Sequence, residues 1–154
     1  MPDCIEERIT SFLEARLKEL SLLGKTPTVE RERLVGSING RYPFVELCGA
    51  EVEVETLTHE LEIAKLNYLV KAYFDISDDN QSANTEISRI TKNVCADIKA
   101  KVKEDQSCGS LALYVQTTER GYSFDLIGDN VEFFCYVAVT VTARIDAEDS
   151  YKLG

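Results

Sequence analysis

The chain has 154 residues, 44% apolar and 29% charged, with only 8 Gly and 3 Pro. This predicts one globular domain over residues 1–154 and excludes collagen-like, low-complexity and disordered chains. Seventeen basic against 27 acidic side chains leave a net charge of −10, the opposite of the cationic footprint that nucleic acids and acidic lipid surfaces require.

Residues 3–23 predict an amphipathic helix, because Ile5, Ile9, Phe12, Leu13, Leu17, Leu20 and Leu23 recur at helical spacing. Asp3 with Glu6 has the form of a capping box, and Gly24 that of a C′ stop. Residues 25–43 read two ways, as a short helix opened by Thr26-Pro27 or as a solvated edge strand. Gly36, Gly40 and Pro43 mark turns there. Phe44–Leu47 predicts a short strand, Gly49 a break, and Glu51–Glu55 a strictly alternating strand. From Glu60 to Phe74 the apolar residues switch from odd numbers (Leu61, Ile63) to even ones (Ala64 to Phe74). That switch predicts a bulge near Ile63-Ala64 or two packing partners.

Asp75–Asn84 reads as a polar loop. A second helix follows to about Lys103, with Ala83, Ile87, Ile90, Val94, Ile98 and Val102 as its buried stripe and Lys99, Lys101 and Lys103 complementing the helix dipole. Asp105–Ser110 forms the exit loop. Leu111–Thr118 and Tyr122–Ile127 then predict a hairpin turned at Glu119-Arg120-Gly121. Gly128-Asp129-Asn130 leads into the longest strand, Val131 to about Ile145, whose odd positions are all apolar. At about 3.3 Å per residue it spans roughly 50 Å. A strand of that length outruns its own domain, so Val137, Val139, Val141, Ala143 and Ile145 are candidates for intersubunit pairing. Residues 148–154 are expected to be a loose polar tail. Two amphipathic helices on one face of a mostly antiparallel, twisted sheet give an α+β fold.

Catalytic chemistry finds little footing. Cys4, Cys48, Cys95, Cys108 and Cys135 lack the close spacing of zinc ligands, and Cys95 and Cys135 fall on core faces, where a thiol acts as a small hydrophobe. A His-dependent mechanism would pass through His59, the one histidine, in a turn between Thr58 and Glu60. Asp75, Asp78, Asp79 and Asn80 miss the EF-hand spacing, since Ser77 and Asn80 stand where a ligand and a glycine belong. Gly36-Ser37-Ile38-Asn39-Gly40 lacks the Lys-Ser/Thr of a phosphate loop. The chain reads as a non-enzyme without cofactor or metal. No apolar run approaches the ~18 residues of a membrane span. The opening Met1-Pro2-Asp3, followed by Glu6 and Glu7, differs from a secretory leader, so cytosolic synthesis is expected.

One segment stands out. Glu51, Glu53 and Glu55 share a strand face, and Glu60 and Glu62 follow on the return arm. Like charges facing each other across strands repel. The hairpin therefore carries either an ordinary solvated face or a surface that meets a polyanion without holding it.

Three passages carry a family resemblance. The first is the helix from Ile5 to Leu23, leading to Arg41-Tyr42-Pro43-Phe44-Val45-Glu46-Leu47 and the Glu-rich strand. The second is Tyr68-Leu69-Val70-Lys71-Ala72-Tyr73-Phe74-Asp75, the polar loop and the helix through Asp97-Ile98. The third is Thr117-Thr118-Glu119-Arg120-Gly121-Tyr122, then Glu132-Phe133-Phe134-Cys135-Tyr136-Val137-Ala138-Val139-Thr140-Val141. Over roughly Ile5 to Ile145 the chain resembles bacteriophage tail terminator (tail-completion) and head–tail joining proteins; Lys25–Gly40 has no counterpart in that pattern.

The resemblance implies a structural virion protein of the tail or neck, assembled in the bacterial host cytoplasm. Its copies would form a ring, usually of six, that caps the tail tube, ends its polymerisation and joins it to the head connector. Helices would lie outside, and the acidic strand of Glu51, Glu53, Glu55, Glu60 and Glu62 would line the lumen. The implied partners are further copies of the chain, the tail tube protein and a head–tail connector or adaptor. Genomic DNA would only pass through, as a polyanion, and no membrane is involved. The alternative from another class is a small α+β ligand-binding or regulatory domain, with Tyr68, Tyr114, Tyr122 and Tyr136 walling a pocket on the open sheet face.

Overall fold

The computed structural model describes residues 3–31, 41–74, 83–127 and 130–154. Its elements run α1 (Ile5–Leu17), β1 (Thr28–Arg31), β2 (Phe44–Thr58), β3 (Leu61–Phe74), α2 (Ala83–Lys103), β4 (Tyr114–Ile127) and β5 (Asn130–Asp146). The five strands form one sheet in the order β1-β2-β3-β5-β4, with β1 parallel to β2 and every other pair antiparallel. This is the α+β architecture that the alternation and the helical stripes predict.

Register explains why the core forms. Ala64, Leu66, Tyr68, Val70, Ala72 and Phe74 on β3 stand opposite Ala143, Val141, Val139, Val137, Cys135 and Phe133 on β5. Two apolar rows thus share one face. Ile5, Ile9, Leu13 and Leu17 of α1, and Val94, Cys95, Ile98 and Val102 of α2, pack on that face in the same cluster. Each large side chain removed from water there contributes about 1.5–3 kcal/mol. After α2 the chain turns through Cys108, Gly109 and Ser110, all at positive φ. The Asp105 carboxylate holds this turn, accepting bonds from the Ser107 and Gly109 backbone N–H groups and the Ser107 hydroxyl.

Several expectations are corrected at the ends of elements. Helix α1 is shorter than 3–23. Its N-cap is Cys4 without a side-chain cap bond, so Asp3 and Glu6 form no capping box. Leu23 and Gly24 lie at φ +52° and +79°, in a tight turn where Leu22 and Lys25 exchange both backbone bonds. Gly24 serves that turn, not a helix end, and the turn places Leu20 and Leu22 in the core. Over Thr28–Arg31 the edge-strand reading of residues 25–43 is the one realised. Gly36, Gly40, residues 75–82 of the polar loop and the Gly128-Asp129 turn lie outside the described residues.

Gly49 does not break a strand. β2 runs on through it, with register shifts between Gly49 and Val52 and between Thr56 and Thr58. The irregularity sits there and not at Ile63-Ala64, since β3 pairs with β5 without a shift. Leu61 and Ile63 simply belong to the other face. The hairpin at Glu119-Arg120-Gly121 does not form either. β4 crosses these residues as one strand, bulged between Thr117 and Glu119. Gly121 answers to a close approach: a Cβ there would stand 2.9 Å from Tyr136 Oη. Glycine in a strand marks either a turn or a crossing group, and here it is the crossing group.

The largest correction concerns β5. It pairs with β3 from Phe133 to Asp146 and with β4 from Asn130 to Thr142. Val137, Val139, Val141, Ala143 and Ile145 are buried in the chain's own core, so they are not an intersubunit strand. The length of β5 is used inside the sheet. Where β4 ends, the tail takes over: Asp146 N–H donates to Lys152 O, and Gly154 N–H to Arg144 O. Ser150 O accepts from Ile5 N–H. Residues 148–154 are fastened, not loose.

Candidate functional site

Candidate nucleophiles come first. His59 is exposed in the β2–β3 turn. All five cysteines are free, and Cys95, Cys108 and Cys135 are buried. Burial pushes the Cys108 thiol up to about 11 and Cys135 to about 12, and it raises Cys95 as well. A thiol held protonated is a poor nucleophile. Among the described residues no three His, Cys, Asp or Glu side chains gather as a metal ion would require. The Asp75–Asn80 segment lies outside the described residues.

The acidic hairpin is exposed from Glu51 to Glu60, but its charges are divided. Glu53 stands opposite Lys65 and Glu55 opposite Ile63, on the face turned away from the helices. Glu62 pairs with Thr56 and Ile145, on the helix-bearing face. The five acids therefore do not form one self-repelling stripe, because the first β2 irregularity, between Gly49 and Val52, and strand alternation separate Glu62 from Glu53 and Glu55. The four tyrosines are divided likewise. Tyr68 and Tyr122 pair with Val139 and Cys135 on the helix face, Tyr114 and Tyr136 with Thr142 and Gly121 on the open face. They cannot wall one pocket.

What the fold does expose is backbone. β1 covers β2 only over Phe44–Leu47, so the outer edge of Val52–Thr58 has no strand beside it among the described residues. Among the described residues the outer edge of β4 has none along its whole length. Both edges carry exposed apolar side chains: Val52, Val54 and Leu57 on one, Tyr122, Phe124 and Leu126 on the other. Pairing with Leu66 and Ala64 puts Val52 and Val54 on the helix face, and pairing with Cys135, Phe133 and Val131 puts Tyr122, Phe124 and Leu126 there too. Open ladders flanked by exposed apolar residues are templates for another strand. No sequence pattern marked these edges, since which strand lies outermost depends on pairings distant in the chain.

Two side-chain groupings flank them. On the open face Tyr73 Oη lies 2.9 Å from Asp125 Oδ2 and 3.3 Å from Glu46 Oε1. Lys71 Nζ is 3.8 Å from Asp125 and 4.9 Å from the Phe134 ring centroid. Phe44, Tyr73 and Phe134 are buried together beneath them. This second cluster ties β2, β3, β5 and β4 to one another and was missed; its signal is an aromatic at an odd position in a row buried on even ones. On the helix face a cavity of about 260 Å³ lies between α2 and the β4 bulge, lined by Cys95, Lys99, Thr117, Thr118, Glu119, Arg120 and Val137. Lys99 and Arg120 make no ion pair among the described residues.

No protein-family model matches this chain, and no curated protein matches it.

Proposed function

We propose that this chain is a structural, ring-forming protein. Following the resemblance in its sequence, we assign it to the bacteriophage tail or neck, where the ring caps the tail tube, ends its growth and joins it to the head connector. One observation carries the reading: a single sheet whose ladders are open, among the described residues, on two opposite sides, the distal outer edge of β2 and the outer edge of β4. Two different edges on one subunit favour head-to-tail contacts, which either close into a ring or extend into a fibre. Closure removes the edges, and with them the tendency to aggregate. With helices outward, the open face turns toward the lumen, and Glu51, Glu53 and Glu55 line it; Glu62, on the other face, does not. An acid-rich wall lets a polyanion slide without binding.

Light scattering and electron microscopy of the purified protein, alone and on tail tubes, test the ring. A closed particle of fixed size is expected, with overlong tubes forming when the protein is withheld. Tubes of normal length in its absence overturn the assignment. Changing Glu51, Glu53 and Glu55 together to Lys is expected to leave rings intact while impairing DNA ejection. Unimpaired ejection removes these residues from the lumen.

A further inference from the structure

We infer that the distal half of β2 in one copy pairs antiparallel with β4 of the next, Val52 opposite Phe124 and Thr56 opposite Arg120. The inference rests on the ring reading, since its occupant is a second copy of this chain. Direction comes first. β2, β3, β5 and β4 alternate in sense across the sheet, so β4 and a neighbour's β2 meet antiparallel when the sheet continues facing the same way. Level comes next. β1 occupies β2 at Phe44–Leu47, which leaves the regular ladder Val52–Thr56 between the two β2 shifts. The neighbour is therefore staggered along the strand, and a closed ring accommodates stagger by tilting its strands.

Facing restricts the register. Val52 and Val54 lie on the helix face, so they oppose Arg120, Tyr122, Phe124 or Leu126, which share it. Placing Val52 at Leu126 sets Glu53 against Asp125, a like-charge pair that is destabilising. Placing Val52 at Tyr122 runs Thr56 into the β4 bulge beyond Glu119, and placing it at Arg120 runs Val54 into the same bulge and sets Glu53 against Glu119. Placing it at Phe124 avoids both within the regular ladder, and Glu51, in the irregular stretch before Val52, is the acid left level with Asp125. Val54 then meets Tyr122, Glu53 meets Ser123, and Glu55 meets Gly121, where the Tyr136 hydroxyl occupies the space of the missing side chain. That hydroxyl can donate to the Glu55 carboxylate.

Charge supports the same register. Thr56 at Arg120 brings Glu62, which faces Thr56 across its own hairpin, two strand spacings from Arg120, about 9.5 Å between backbones. Two long side chains bridge that distance. The cavity beside α2 thereby acquires an acid for Lys99 and Arg120, cations without ion pairs among the described residues of the single chain.

Engineered disulfides test the register. Directly opposite residues have Cα atoms about 4.5–5.5 Å apart, within disulfide reach. Residues offset by two positions are about 8 Å apart, beyond it. Oxidised V54C/Y122C protein is expected to give a ladder of covalent multimers ending at the closed ring, while V54C/F124C and the parent protein give none. V54C mixed with Y122C is expected to stop at a covalent dimer. No ladder from V54C/Y122C in a sample that sediments as a ring, or a stronger one from V54C/F124C, overturns the register and leaves the ring standing. A sample that stays a single chain, even on tail tubes, overturns both.

Discussion

Thr142 is 2% exposed between Lys65 and Tyr114 on the flanking strands, and its hydroxyl has no hydrogen-bond partner among the described residues. A buried hydroxyl left unpaired costs about 1–3 kcal/mol. Thr142→Val keeps the branched shape that a strand favours and removes the unpaired group. The unfolding free energy should rise by about 1 kcal/mol in urea titrations; a fall would mean that water or a neighbour satisfies the hydroxyl. Three other buried groups set the alkaline limit. Tyr68 is pushed up to about 12, chiefly by burial and against the hydrogen bond it shares with Thr10. Cys108 and Cys135 are pushed up to about 11 and about 12, again by burial first. Each folded value lies above the unfolded one, so the stability it represents is complete below the ordinary value and is lost as pH rises through the folded one. The melting temperature should therefore hold to about pH 8.5 and fall between about 9 and 12. Tyr68→Phe should make that decline shallower while costing about 1 kcal/mol at neutral pH. An alkaline limb identical to the parent's would show that Tyr68 does not titrate in it.

At the scale of elements, Arg31 ties β1 to α1. From β1 its guanidinium reaches Glu14 at 3.1 Å and Ser11 at 2.8 Å, and it also pairs with Glu7, all on α1. The Glu7 hydrogen bond is the first cause of its raised pKa. The rest of its hold is the ladder to Phe44–Leu47, Val29 packed against the core and the Glu30–Arg41 ion pair. Arg31→Ala should cost about 1 kcal/mol, the scale of a partly solvated network. Hydrogen exchange of the amides that bond β1 to Phe44–Leu47 should quicken about fivefold, with the β3–β5 amides unchanged. Equal quickening of both would mean the sheet opens as one unit. The sequence disclosed both helical stripes and the rows of β3 and β5, because burial on one face imposes a period that survives in one dimension. It did not disclose the strand order. A glycine such as Gly121 looks the same whether it turns the chain or lets a tyrosine pass over it. Tyr73 meets Glu46 and Asp125 from 27 and 52 residues away, a separation that no local window spans. The acidic arm was legible as composition, but the division of Glu53 and Glu62 between faces arises from the shift between Gly49 and Val52.

For the whole molecule, the proposed ring would set charge repulsion against edge contact. Each copy brings ten net negative charges, so neighbours in such a ring would repel across their full surfaces, whereas the proposed edge-to-edge contact would be made of backbone hydrogen bonds and apolar side chains with one acid near two cations. Repulsion between exposed charges is screened over about 10 Å at 0.1 M salt and about 3 Å at 1 M, while apolar contact is not weakened by salt. If edges drive association, the protein concentration at half-assembly should fall several-fold as sodium chloride rises from about 0.05 to about 0.5 M. Sedimentation velocity across that series reads it directly. Should assembly instead weaken with salt, attraction between charged patches would outweigh the edge contact, and Lys99 and Arg120 would matter more than the strands beside them. Lys99→Ala with Arg120→Ala separates the two cases. Under edge control the variant still assembles, with a half-assembly point shifted by roughly fivefold, the scale of one screened ion pair, and with the same favourable response to salt.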